Sequence, residues 1–157
     1  MAKIAIQGIG EHPAPVIFVI EKEEPDVSYV LTSDYSYDHV DGEGGFDKSS
    51  GEAIADAAEK IGTEVKFMKC DTFDPEEIGE KIGEILGGLD PDDEVIINYT
   101  AGSATIKIIL GATAVAISRF MENLRIVYAI KYPDGTEKYL DQTEALGKLF
   151  TQLNQAV

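Results

Sequence analysis

The sequence predicts a doubly wound α/β protein: a mostly parallel six-stranded sheet in the order 3-2-1-4-5-6, an antiparallel edge strand 6, and helices on both faces. Three observations carry this. Short β-branched runs alternate with helical stretches in the order β-α-β-α-β-α-β-α-β-β-α. Strands separated by helices require parallel crossovers, and a closing hairpin adds the antiparallel edge. The 157 residues, 44% of them hydrophobic, are enough for one domain with a proper core, expected to span 1–157.

Residues 3–7 alternate around apolar side chains and make the first strand. Gly8-Ile9-Gly10-Glu11-His12-Pro13 is then a turn, with Pro13 or Pro15 opening a helix over 14–22. Pro13 stands where the third glycine of a dinucleotide fingerprint belongs, which counts against a nicotinamide enzyme. His12 reads either as a ligand contact at the strand's carboxyl end or as a solvated loop residue. Strand two covers 27–32. Residues 33–48 follow as a polar loop without periodicity, long enough to serve as a lid or binding loop. Tyr35, Tyr37 and Phe46 could stack on a base there, and Ser33 sits where the strand ends; a plain connection over 39–45 is the alternative.

A helix over 49–61 turns Ile54, Ala57, Ala58 and Ile61 inward, and strand three covers 64–70. Asp74 caps the next helix, with Pro75 at its first position and Glu76 and Glu77 in its first turn. Its buried face is Ile78, Ile82, Ile85 and Leu86, and Gly87-Gly88 ends it. These segments read as structural.

Val95-Ile96-Ile97 is the fourth strand, and Ala101-Gly102-Ser103 is a small-residue turn into a helix over 103–121. A helix start offers unpaired N–H groups and partial positive charge, so the turn suits an anion. Gly102 permits close backbone approach, and Thr100 and Ser103 add hydroxyls. The same residues also describe an ordinary capped helix start. The helix itself has Ile106, Ile109, Leu110, Thr113, Ile117 and Phe120 on one stripe, and Gly111, Ala112, Ala114, Val115 and Ala116 leave almost no polar face. Apolar on all sides means buried on all sides. Its second cover is either the chain's own last helix or, the preferred reading, a second subunit in a two-fold dimer. Residues 125–131 and 137–140 flank Tyr132-Pro133-Asp134-Gly135-Thr136, a hairpin signal. A final helix over 143–155 turns Leu146, Leu149, Phe150 and Leu153 inward.

Charge and cysteine usage narrow the function. With 29 acidic against 13 basic residues the net charge is −16, which repels a nucleic-acid polymer but not a small anion held by backbone N–H groups. The lone Cys70 agrees with a reducing compartment, and with only His12 and His39 beside it a Cys/His zinc site is ruled out. Lys107 and Arg119 interrupt the longest apolar run, and the first residues read as a strand and not a leader. A cytoplasmic protein with no metal, no cofactor and no membrane contact is expected.

Sheets of this class bind ligands beyond the carboxyl ends of the strands, where the order reverses. Here that point lies between strands one and four, so the loops at Gly8 and Thr100 should face each other. Asn98-Tyr99-Thr100-Ala101-Gly102-Ser103-Ala104 after a β-branched strand resembles the Asn-x-Thr-Gly-Gly-Thr-Lys signature of CARF domains, the CRISPR-associated Rossmann fold. Gly10-Glu11-His12-Pro13-Ala14-Pro15, with Pro25-Asp26 before strand two, resembles their opening. The resemblance implies a Rossmann-like fold and a homodimer whose shared cleft binds a cyclic oligoadenylate second messenger of type III CRISPR signalling. Some members cleave the ring without metal, leaving a 2′,3′-cyclic phosphate.

Carried onto this chain, the resemblance implies ligand contacts at Gly8, Ile9, Gly10 and His12, at Ser33, Asp34 and Tyr35, and at Asn98, Thr100, Ala101, Gly102, Ser103, Ala104 and Lys107. In a cleaving version Thr100, Ser103 and Lys107 surround the scissile phosphate and Ser33 orients the ribose. The chain departs from the signature at Ala101, Ser103 and Ala104, the last standing where the family has Lys. Lys107, three residues on and leaning toward the helix start, reaches back to the phosphate or else snorkels to solvent. A sensor or sponge that holds the ring intact, and a protein for another nucleotide, stay open beside the ring nuclease.

Overall fold

The computed structural model describes residues 1–132 and 134–157. Strands β1 (Lys3–Gly8), β2 (Val27–Thr32), β3 (Glu64–Lys69), β4 (Glu94–Asn98), β5 (Asn123–Lys131) and β6 (Glu137–Asp141) form one six-stranded sheet in the order β3-β2-β1-β4-β5-β6. Every pairing is parallel except β5 with β6. The expected fold class, strand order and antiparallel edge are therefore those observed. The helices are α1 (Ala14–Glu23), α2 (Asp34–Asp38), α3 (Ser50–Ile61), α4 (Pro75–Leu86), α5 (Ala104–Ile117) and α6 (Thr143–Gln155).

Alternation along the strands sorts the core into two layers. Ile4, Ile6, Val95 and Ile97 point to one face, where Ile78, Ile82 and Ile85 of α4 and Ile106, Leu110, Ala114 and Ile117 of α5 cover them. Ala5 and Ile96 point the other way, under Phe18 and Val19 of α1, and Val30 packs with Val16, Ile20, Ile54 and Ala58 from α1 and α3. Side chains from both layers are fully buried, so the sheet is covered on both faces, as parallel sheets require.

Three expectations need correction. The segment 33–48, read as an unstructured loop, contains α2, whose start Ser33 and Ser36 close with a reciprocal capping box. A helix of five residues is too short to leave a hydrophobic period. Helix α5 ends at Ile117 and not at 121, and Phe120, assigned to its apolar stripe, is 74% exposed. In α6, Leu146 and Phe150 pack on the core, but Leu149 and Leu153, expected to face inward, are exposed. The reason is placement: α6 rests on β5 and has no layer beyond it to bury a second stripe. The outer face of α5, with Ile108, Ala112 and Ala116, thus stays uncovered by the last helix. The predicted hairpin is present, with Tyr132 donating its N–H to the Thr136 carbonyl; Pro133 of that signal lies outside the described residues.

At the sheet end opposite the strand carboxyl termini, Glu23 is buried among Lys3, Arg125 and Tyr139. Burial raises its carboxyl, but the hydrogen bonds from Tyr139, Lys3 and Arg125 outweigh that and hold it below the ordinary glutamate value. A depressed folded value means that the contribution is complete above the unfolded pKa, about 4.3, and is lost as pH falls through the folded one. The expected result is that Glu23→Gln lowers the melting temperature at neutral pH and that the gap to the parent protein closes in acid.

Candidate functional site

The carboxyl ends of four adjacent strands, β3, β2, β1 and β4, open into one cavity of about 930 Å³. This is the place where the strand order reverses. Its floor is the turn after β4, and that turn is built by Asn98. The Asn98 side chain is buried, accepts from the Thr100 N–H (3.1 Å) and the Thr100 hydroxyl, and donates to Gln7 Oε1 (2.7 Å), which in turn is fixed through Ser28. The Thr100 hydroxyl accepts from the Ala129 N–H (2.7 Å), so it ties β4 to β5. An alanine at position 98 strands several buried partners, and Asn98→Ala should destabilise the protein by about 2–4 kcal/mol, read by denaturant unfolding.

Gly102 has φ +107°, a conformation that suits glycine, and a Cβ on Gly10 would lie 3.4 Å from the Gly102 nitrogen. The two turns therefore touch across the switch point. Ser103 caps α5, accepting from the Ile106 N–H (3.1 Å) while its own proton goes to the Thr72 carbonyl, which binds the turn to the β3–α4 loop. The amides of Ala104 and Thr105 have no acceptor among the described residues and sit at the positive end of the helix dipole.

Of the residues proposed from sequence, Ile9, Gly10 and His12 line the cavity from the first turn, and Ser33, Asp34 and Tyr35 from the second. Thr100, Ala101, Gly102, Ser103, Ala104 and Lys107 line it from the α5 start. Gly8 and Asn98 do not reach it. Gly8 is buried beneath, where its missing Cβ makes room for Ile106, and Asn98 is buried in the network just described. Ser33 spends its hydroxyl on Ser36, from which it accepts an N–H at 3.1 Å and whose hydroxyl lies at 2.8 Å.

Sequence reasoning missed the wall formed by Lys69, Asp71, Thr72 and Phe73: it read Lys69 as part of a structural strand and assigned nothing to 71–73. The signal was available, because the order 3-2-1-4 puts the end of β3 on the ligand side. Lys69 pairs with Asp34 (3.0 Å) and sits 4.6 Å above the Tyr37 ring, so this cation is already engaged. The hydrogen bond it donates to Asp34 holds its ammonium above the ordinary lysine value. Lys107 has no ion pair among the described residues. Tyr35 and Phe73, 68% and 78% exposed, present aromatic faces at the rim. Burial pushes the Cys70 thiol up, so it stays protonated and is a poor nucleophile.

Among the described residues the candidate metal cluster is Asp90, Asp92 and Asp93, away from this cavity. Asp93 there accepts from the Ala2 and Asp90 N–H groups, both at 2.8 Å, and serves as the clasp before β4.

No helix of the described residues is long and apolar enough to cross a membrane. The sequence matches no protein-family model and no curated protein. Solved structures do resemble it. Csm6 of Enterococcus italicus, bound to cyclic hexa-2′-fluoro-hexa-dAMP, aligns over 83% of this chain at 16% identity with a TM-score of 0.62. Can2 of Sulfobacillus thermosulfidooxidans, in complex with cyclic tetra-adenylate, aligns over 87% at 17% identity with a TM-score of 0.56. A type III CRISPR defence DNA nuclease activated by cyclic oligoadenylate aligns over 87% at 17% identity with a TM-score of 0.54. The alignments cover 34%, 36% and 20% of those three chains. At such identities the likeness is one of fold.

Proposed function

We propose that this chain, whose fold is the one its CARF resemblance implies, is a CARF domain that binds a cyclic oligoadenylate in the cytoplasm as part of type III CRISPR signalling. The observation that carries the reading is the convergence, in the cavity at the switch point, of the free Lys107 ammonium with the unpaired amides at the α5 start. These are donors for phosphate oxygens, and Tyr35 and Phe73 at the rim offer faces for adenine. An overall charge of −16 makes this local concentration of donors the more necessary.

The reading includes a homodimer through α5. Its exposed face runs Ala104, Ile108, Ala112, Ala116, apolar and small except for Ile108, which is 72% exposed. Small residues allow two such helices to approach closely, and the cavity lies at the same helix's start.

A second reading is a sensor or sponge that keeps the ring intact. It is favoured by the engagement of the Ser33 and Ser103 hydroxyls in caps, and by Ala104 in the place of the family lysine. Incubation with cyclic tetra- and hexa-adenylate in EDTA, reading bound ligand and products together, separates these. Linear products ending in a 2′,3′-cyclic phosphate make it a ring nuclease, and retention without products makes it a sensor or sponge. Neither binding nor products removes the function and leaves the fold.

A further inference from the structure

Between the β1–α1 turn and the segment that follows α2, His12 and Asp41 form a pair that is not among the phosphate donors assigned above. Asp41 belongs to a polar, glycine-rich stretch, yet it is 6% exposed. Its Oδ1 accepts from the Gly44 N–H at 2.9 Å and its Oδ2 lies 3.0 Å from His12 Nδ1. A Cβ at Gly44 would fall 2.2 Å from Oδ2, so the stretch has its glycine where the carboxylate needs the room. Burial raises the Asp41 carboxyl, but the hydrogen bonds from His12 and Gly44 outweigh it and leave it below the ordinary aspartate value. An ionised Asp41 accepts only, which makes His12 Nδ1 the donor, so in the neutral ring the lone pair is on Nε2.

Nε2 has no partner among the described residues, and the ring is 65% exposed. His12 lines the cavity of the proposed site and also a second one of about 710 Å³ behind it, so it stands as the post between them. Of the carboxylates that line the first cavity, Asp34 is engaged by Lys69, Asp71 by the Phe73 N–H and Glu77 by the Asp71 N–H, while Glu11, next to His12, has no partner among the described residues but is exposed to solvent and has no second residue to orient it.

We infer that His12 is the general base of a metal-independent cleavage of the bound ring, with Asp41 as the residue that positions it. The inference rests on the function proposed above. Nε2 takes the proton of a ribose 2′-hydroxyl, and the 2′-oxygen attacks the adjacent phosphorus. The bond from phosphorus to the 5′-oxygen breaks, and that oxygen takes a proton from water. His12 returns its proton to solvent. The product is a linear oligoadenylate with a 2′,3′-cyclic phosphate and a 5′-hydroxyl, isomeric with the ring.

The test is single-turnover cleavage of cyclic tetra- and hexa-adenylate in EDTA, with enzyme in excess and ligand saturated. His12→Ala should lower the rate roughly 100-fold or more, and added imidazole should restore part of it. Asp41→Asn should keep the base but misdirect it, giving a smaller loss and a displaced rising limb in the pH–rate profile. The charged and titratable groups around the pair are His39 within the same segment as Asp41, Glu11 beside His12 in the turn, and Glu43, Glu21 and Lys131 around the second cavity. A ring bound and left intact by the parent protein, or cleaved as fast by folded His12→Ala, overturns this inference alone. A parent protein that binds neither ring overturns the function and the inference together.

Discussion

Replacing Lys107 by alanine should weaken cyclic oligoadenylate binding roughly 10- to 100-fold, the range for losing a charge-assisted contact to phosphate. Among the described residues Lys107 is the cavity lysine without an ion pair, so its charge is available to a ligand without first breaking a contact. Lys69 has to give up Asp34 to do the same, and Lys69→Ala should cost less. The two substitutions separate further in salt. Affinity of the parent protein should fall as salt rises, and Lys107→Ala should flatten that dependence more than Lys69→Ala does. Isothermal titration at two ionic strengths reads both effects. Equal affinity for the parent protein and Lys107→Ala would take Lys107 out of the site and leave the phosphate to the backbone.

Ile108→Glu should turn a dimer into a monomer. The side chain is 72% exposed in the single chain and sits amid Ala104, Ala112 and Ala116 on the uncovered face of α5. In a two-fold contact each copy meets the other's equivalent residues, so one substitution places two carboxylates in the same apolar seam. Burying unpaired charges there should raise the dimer dissociation constant at least 100-fold, about 3 kcal/mol. Sedimentation of the parent protein and the variant checks this, and circular dichroism should be unchanged because Ile108 supports no core contact in the chain itself. A parent protein that sediments as a monomer with ligand present would remove the dimer from the proposal.

Most of the fold was readable because its signals are periodic. Ile4, Ile6, Val95 and Ile97 alternate with residues of opposite face, and the helix faces of α3 and α4 recur at the helical period, so strand count, order and layering follow. The turn 98–103 was legible for a different reason, since Asn, Gly and Ser each have a backbone preference that needs no tertiary partner. What escaped depends on long-range contacts. Asp41 looks like a solvated loop aspartate until His12, 29 positions away, is brought to it. Ser103 looks like a free hydroxyl until the Thr72 carbonyl, 31 positions away, is in place. The exposure of Leu149, Leu153 and Phe120 is likewise invisible in a pattern, because hydrophobicity says which residues seek cover and not whether the chain supplies it.

The sheet's two margins bear on how far self-association can run. A parallel sheet ending in bare strands could template its own extension, chain after chain, into a ribbon. The outermost strands here are β3 and β6, and both are charged: Glu64, Lys66 and Lys69 on one, Glu137, Lys138 and Asp141 on the other. Stacking a further copy on either margin would desolvate those charged side chains, which opposes growth through hydrogen-bonded strands at both ends. The two-fold contact proposed through the α5 face would close on itself instead, and the particle it would produce is finite.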